Sequence, residues 1–288
     1  MSGLYNTILT GIIVIILAPL VGGLLTGIDR KITAHMQGRK GPPIIQPFYD
    51  VIKLFGKQRM AVNGMQDAYA LGFLLFTAAA LVMLFTSQDL LMLLFVLAFG
   101  NISLIMGAMS VRSPYSRIGA QREIMQLMAA EPVIILTAVG VYLATGSFII
   151  SSIAKYNFPL IAIMPLQFLA LLLVLTIKLR KSPFDFSTSH HGHQELIKGL
   201  TIEFSGAQLA IIELAHWLEL VLLLGIVCLF FVQPIWVGIL IALFVFFIEI
   251  LIDNISARTT WVWMLKVAGL IGLGLSIANI IWLYLRMK

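Results

Sequence analysis

Eight apolar runs of membrane-spanning length restrict the fold of this chain more than any other feature. A helix needs about 20 mostly apolar residues to cross a hydrocarbon core roughly 30 Å thick, because each residue advances it about 1.5 Å. The runs lie near residues 4–27, 68–87, 89–110, 124–148, 158–178, 205–232, 234–253 and 261–285. They predict an all-α polytopic membrane protein of about eight transmembrane helices, a single membrane domain over 1–288. Only 11% of residues are charged and 60% are hydrophobic, against about 25% charged in a typical soluble domain, which excludes a soluble enzyme. Runs two, three and five carry no interior charge, whereas runs four, six and seven place Glu131, Glu213, Glu219 and Glu249 at depth. Met1 to Thr7 has no Lys or Arg, unlike the start of a signal peptide, so the first run reads as a retained helix.

The basic residues set the orientation. Of the 19 Lys and Arg residues, 15 fall in loops near 28–67, 111–123, 179–204 and 254–260 or, for Lys178, at the loop edge, all on one side of an eight-span chain. Positive charge is retained in cytoplasmic loops during insertion, so these loops are expected in the cytoplasm and both termini outside, in a multi-pass protein of the cell membrane. The opposite turns are short, and the first and third of the long-loop set exceed ordinary connections, which suggests a docking surface for soluble partners. The single cysteine, Cys228, lies in an apolar run. One thiol ligates no four-thiolate cluster, so any redox centre must belong to a partner.

In the first basic loop, Gly38-Arg39-Lys40-Gly41-Pro42-Pro43 reads as a turn. A short helix opens at Pro47, a residue favoured in the first helical turn. Phe48, Val51, Ile52 and Phe55 recur at helical spacing, with Asp50, Lys53 and Lys57 on the other face. The pattern fits an interfacial helix lying flat on the bilayer, or an amphipathic helix packed on protein. In the loop near 179–204, His190, His191, His193 and Glu195 invite a metal reading. Their spacing lacks the separated pairs of a zinc site, and the segment reads instead as a polar loop that contacts a partner, with no metal expected.

A carboxylate at bilayer depth costs a few kcal/mol, so it normally faces the bundle interior, water or a partner. Glu213, His216 and Glu219 follow one another at three-residue intervals and spiral around the sixth run; Glu249 and Asp253, four apart, share a face of the seventh. Closely placed buried acids build proton relays, and the same oxygens bind sodium. Glu131 and Glu213 are the strongest candidates for such work. Glu249 and Asp253 fit an anchoring pair with Arg258 equally well, Glu219 fits a face toward a neighbouring subunit, and His216 fits a structural histidine.

Several motifs then narrow the reading. Gln37-Gly-Arg-Lys-Gly-Pro-Pro with Gln46-Pro-Phe-Tyr-Asp-Val-Ile-Lys53 resembles the first cytoplasmic loop of the membrane subunit that joins the two arms of respiratory complex I and of energy-converting [NiFe] hydrogenases. Arg117-Ile-Gly-Ala-Gln-Arg-Glu123, which contains Arg122, followed by Glu131, is similar to that family's third loop and fourth helix. Ser182-Pro-Phe-Asp185, then Glu195 and Glu203-Phe-Ser-Gly206, resembles its fifth loop, and Arg258 and Lys266 its last basic positions. The stretch Ser187-Thr-Ser-His-His-Gly-His-Gln194, together with Glu213 and His216, looks like the Ech-type hydrogenase branch.

The resemblance implies a subunit without bond chemistry or cofactor of its own. The NiFe centre and iron–sulfur clusters would sit in partner subunits: the hydrogenase large and small subunits and a ferredoxin-type iron–sulfur subunit, with an antiporter-like membrane subunit alongside. The complex would oxidise ferredoxin, evolve hydrogen and translocate protons or sodium. The implied ion route starts near Asp185, Glu195 and Glu203, passes Glu131 and Glu213, and involves His216, Glu249 and Asp253. Arg39, Lys40, Asp50, Lys53, Arg117, Arg122, Arg258 and Lys266 would dock partners or tune the acids, with Lys266 as the cation offsetting a buried glutamate. A quinone-site subunit of a complex I-like dehydrogenase and a passive membrane anchor are the alternatives.

Overall fold

A computed structural model describes residues 2–58, 60, 63–156, 158–184, 199–231 and 234–287. Among them the chain is helical, with two isolated β-bridges as the sole extended pairings. The helices are α1 (Ser2–Met36), α2 (Gln46–Phe55), α3 (Met65–Phe85), α4 (Leu90–Met109), α5 (Pro114–Thr145), α6 (Ile150–Ala154), α7 (Leu160–Ile163), α8 (Pro165–Lys178), α9 (Ala207–Leu229), α10 (Ile235–Ile255), α11 (Trp261–Lys266) and α12 (Leu273–Met287). A π-helical turn, Val267–Gly272, joins the last two into one run. Seven of the described helical runs are long and apolar enough to cross a membrane, so the chain is an all-α polytopic membrane protein.

The fifth predicted span, over 158–178, differs from expectation. It divides at Met164 into α7 and the 14-residue α8. Pro165 supplies the reason: it has no N–H to continue the ladder, and its ring disfavours helical geometry in the residue before it. Met164 accordingly leaves the helical region, at φ −129° and ψ 56°. Two basic loops are also shorter than the apolar runs suggest. Helix α1 continues to Met36, and α5 begins at Pro114, so polar residues such as Arg30 and Arg117 extend helices already under way.

The described residues form two compact units. The first comprises Met1–Thr86, Phe95–Ile124 and Phe186–Val221; the second comprises Ser87–Leu94, Met125–Asp185 and Leu222–Lys288. In the first unit, α2 lies against α9 through Val51, Ala210 and Trp217, and Phe48 meets the Trp217 ring edge-on at a centroid distance of 5.2 Å. Helix α1 closes on the same tryptophan at Gly22, where a Cβ atom would fall within 2.8 Å of Trp217 Cβ, so glycine is required there. Arg30 on α1 donates to Asp50 on α2 at 2.6 Å and fixes the helix from its polar side. Ile45, Tyr49, Ile52 and Phe55 stay exposed. The short helix therefore packs on protein along one stripe and presents a second apolar stripe outward, as an interfacial helix does.

In the second unit, α8 runs antiparallel to α5. Gln167 near its start reaches Thr137 and Val133, while Lys178 at its end reaches Glu131. Helix α10 lies parallel to α8, since Thr176 meets Glu249 and Ser182 meets Asp253. The turns opposite the basic loops are tied by Leu90 N–H to Phe148 O at 2.9 Å and Ile150 N–H to Gln88 O at 3.0 Å. Asp89 caps α4 by accepting the Met92 N–H at 2.9 Å.

Candidate ion-handling site

Within the second unit, three contacts gather charged side chains along α5, α8 and α10. Lys178 donates from Nζ to Glu131 Oε1 at 2.5 Å, with the lysine 6% and the glutamate 18% exposed. Thr176, two residues earlier on α8, donates to Glu249 Oε1 at 3.4 Å. Glu249 is fully enclosed, and its Oε2 meets no hydrogen-bond partner among the described residues. One turn on, Asp253 accepts the Ser182 N–H at 2.8 Å through Oδ1 and faces Lys181 Nζ at 3.6 Å through Oδ2. Pro183 O, next in the chain, accepts from the Thr259 hydroxyl at 2.9 Å, and Phe184 is bridged to Thr259.

The local sequence produces this cluster. Lys178 ends a short helix, so its long side chain reaches back along α8 toward Glu131 instead of leaving the bundle. Glu249 and Asp253 stand four apart on α10 and share the face that α8 and the following turn cover. Pro132 beside Glu131 removes the donor that Met128 O would meet in an unbroken helix. Two acids thus carry resident ammonium groups, and a third is held by a hydroxyl.

The first unit holds a separate polar group. Glu219 is buried, accepts from Asn101 Nδ2 at 3.5 Å and faces His216 Nδ1 at 3.5 Å. The His216 ring meets Phe73 edge-on at 5.1 Å. The placement of Glu219 corrects the expectation that it faces a neighbouring subunit: its carboxylate points inward, toward α4. Glu213 is half-buried on α9, and Glu203 is half-buried in the turn before it. Gln208 donates to Asp67 at 2.6 Å, and Ser205 exchanges hydrogen bonds with the backbone of Met60, so the entrance to α9 is tied to the end of the first basic loop.

Other predicted residues divide by position. Asp185 and Glu195, with the loop histidines, lie outside the described residues. Arg39, Lys40, Lys53 and Arg117 are exposed, and Arg122 and Arg258 are half-buried. Asp50 is held by Arg30 and Gln46. Lys266 is exposed, and the ammonium beside Glu131 belongs to Lys178. Sequence reasoning counted Lys178 among loop charges and overlooked Thr176, Lys181 and Asn101. A lysine at the end of an apolar run, facing a chain with several buried acids, was the available signal. Among the described residues no three His, Cys, Asp or Glu side chains group as a metal site.

Comparison with known proteins places this arrangement in a family. Hydrogenase-4 component C of Escherichia coli strain K12 is 32% identical over 223 residues, covering 72% of this chain and 67% of that one. Formate hydrogenlyase subunit 4 of the same strain is 30% identical over 212 residues, 67% of each chain. Among solved structures, a chain of the membrane-bound sulfane sulfur reductase, an archaeal respiratory membrane complex, superposes with a TM-score of 0.87 at 25% identity, covering 96% of this chain and 99% of that one. Residues 9–284 match the family described as NADH dehydrogenase. With nearly its whole length matched and its helical order shared, the chain belongs to the NADH dehydrogenase family, as a multi-pass membrane protein akin to the membrane subunits of complex I-like and hydrogenase assemblies.

Proposed function

We propose that this chain is the membrane-embedded coupling subunit of a multisubunit complex, in which a peripheral NiFe hydrogenase arm oxidises reduced ferredoxin, evolves hydrogen and drives ions through the membrane. The carrying observation is the Glu131–Lys178 pair inside an apolar span, continued along α8 and α10 by Thr176–Glu249 and Asp253–Lys181. A buried acid and base within reach of each other store a proton change locally. A movement of the loop that leaves α8 would alter both pairs together, since Lys178 and Lys181 flank its start. The partners supply the NiFe centre and iron–sulfur clusters; an antiporter-like subunit takes the ion onward.

The arrangement favours protons over sodium. Sodium binding requires several oxygen ligands around one ion, whereas at Glu131 an ammonium already stands against the carboxylate. The loop asymmetry favours the basic loops in the cytoplasm and both termini outside.

The test uses the purified complex in sealed vesicles with reduced ferredoxin. Glu131→Gln, made together with Lys178→Met so that no buried charge is left unpaired, should preserve assembly and hydrogen evolution measured with the gradient collapsed, while the ions moved per electron fall by about half or more, a barrier change of under one kcal/mol already sufficing. An unchanged ratio in this double variant and in Glu249→Gln alike supports the passive anchor, and dependence on added quinone supports the quinone-site subunit. A second reading of the peripheral arm follows from the structural match to a sulfane sulfur reductase chain: consumption of sulfane sulfur instead of hydrogen evolution in the same vesicles would identify it.

A further inference from the structure

We propose that the break between α7 and α8 is a bound-water site, lined by Asn279, Gln167 and the Met164 turn, that extends the ion route from Glu131 away from the basic loops. Asn279 on α12 is completely buried, yet neither its Oδ1 nor its Nδ2 has a hydrogen-bond partner among the described residues. Gln167 is equally buried; its Nε2 donates to Thr137 Oγ1 at 2.6 Å and Val133 O at 3.3 Å, while Oε1 has no such partner. Pro165 brings no N–H to Ile161 O, so the break adds a carbonyl deprived of its helical donor.

These groups share a level of the second unit. The Cβ position of Gly272 lies 3.3 Å from Val133 Cγ2, which sets α5 beside the run that becomes α12. The two helices run in the same direction, because α8 is antiparallel to α5 and parallel to α10, and α12 returns from α10. Seven residues beyond each contact point, about 10 Å along each axis, stand Gly140 and Asn279. The Cβ position of Gly140 lies 3.1 Å from Met164 Sδ, at the break itself.

The chemistry selects water. An amide with donor and acceptor both unused needs a ligand that accepts and donates, and a buried water normally holds two to four such partners. A cation would meet the Asn279 NH₂ with the wrong polarity. Thr137, bonded to Gln167, stands six residues from Glu131 on α5, about 9 Å along the axis. The place of the water on an ion route rests on the proposed function; the presence of the water does not.

X-ray hydroxyl-radical footprinting of the intact complex in lipid nanodiscs tests both parts. Met164 and Met264 are both buried, at 0% and 1% exposure. Radicals generated from a bound water should oxidise Met164 about tenfold faster than Met264, and Asn279→Leu, or Gln167→Met if that variant fails to assemble, should abolish the difference. Equal rates for the two methionines, or a Met164 rate unaltered by the substitutions, overturn the site. Fast labelling of Met164 in the native complex with an unaltered ion-to-electron ratio in Asn279→Leu overturns its place on the route. Glu131→Gln made together with Lys178→Met reports separately on the proposed function.

Discussion

Lys178 and Glu131, 47 residues apart in the chain, meet at 2.5 Å inside the second unit. Both come from segments that cross apolar surroundings, and each neutralises a charge that would be costly alone. Burying one without the other exposes the bundle to a desolvation penalty that Coulomb attraction no longer offsets.

Lys178→Met should therefore destabilise the complex by about 3–5 kcal/mol, because the Glu131 carboxylate loses its counter-charge. Adding Glu131→Gln should restore most of that loss. Thermal unfolding of the solubilised complex, comparing the single and double variants, checks this; absence of recovery would show that charge pairing is not what makes Lys178 matter.

Glu219 supports Asn101 and His216 from a single carboxylate. Glu219→Ala should cost about 1–3 kcal/mol, the penalty of withdrawing a buried acceptor from groups already enclosed. Glu219→Gln, which keeps an oxygen in the same place, should cost less than half as much. Denaturation midpoints of the two variants decide the matter, and equal losses would assign the effect to charge rather than to the hydrogen bonds.

Asp253 holds the first residues after α8 by accepting the Ser182 N–H and facing Lys181. Asp253→Ala should loosen that turn by about 1–3 kcal/mol and leave the spans intact. Amide hydrogen exchange should accelerate roughly tenfold or more at Ser182 with no change in the centre of α10. Protection at Ser182 equal to that of the native protein would contradict a clamp.

The apolar runs announced the membrane and nearly every span, because the length needed to cross hydrocarbon is written directly in consecutive residues. Helix α2 was equally legible from Pro47 and the spacing of Phe48, Val51 and Ile52, and its packing on protein is borne out at Val51, while Ile52 on the other apolar stripe remains exposed. The division of the fifth run at Met164 was less legible, since its hydropathy continues through Pro165 without a pause. Glu131 stands out in the sequence for its depth, but Lys178, its partner, does not, and a one-dimensional pattern offers no means of choosing which lysine meets which buried glutamate.

Depth in the bilayer and the helical face of each acid are thus properties of local spacing, and the amino-acid order alone determined them. Which ammonium meets which carboxylate, which way Glu219 turns, and which buried amides are left without partners depend on helices distant in sequence coming side by side. Only packing settles those, because in hydrocarbon a polar group must find its partner across the bundle, and sequence records neither the neighbour nor the direction it faces.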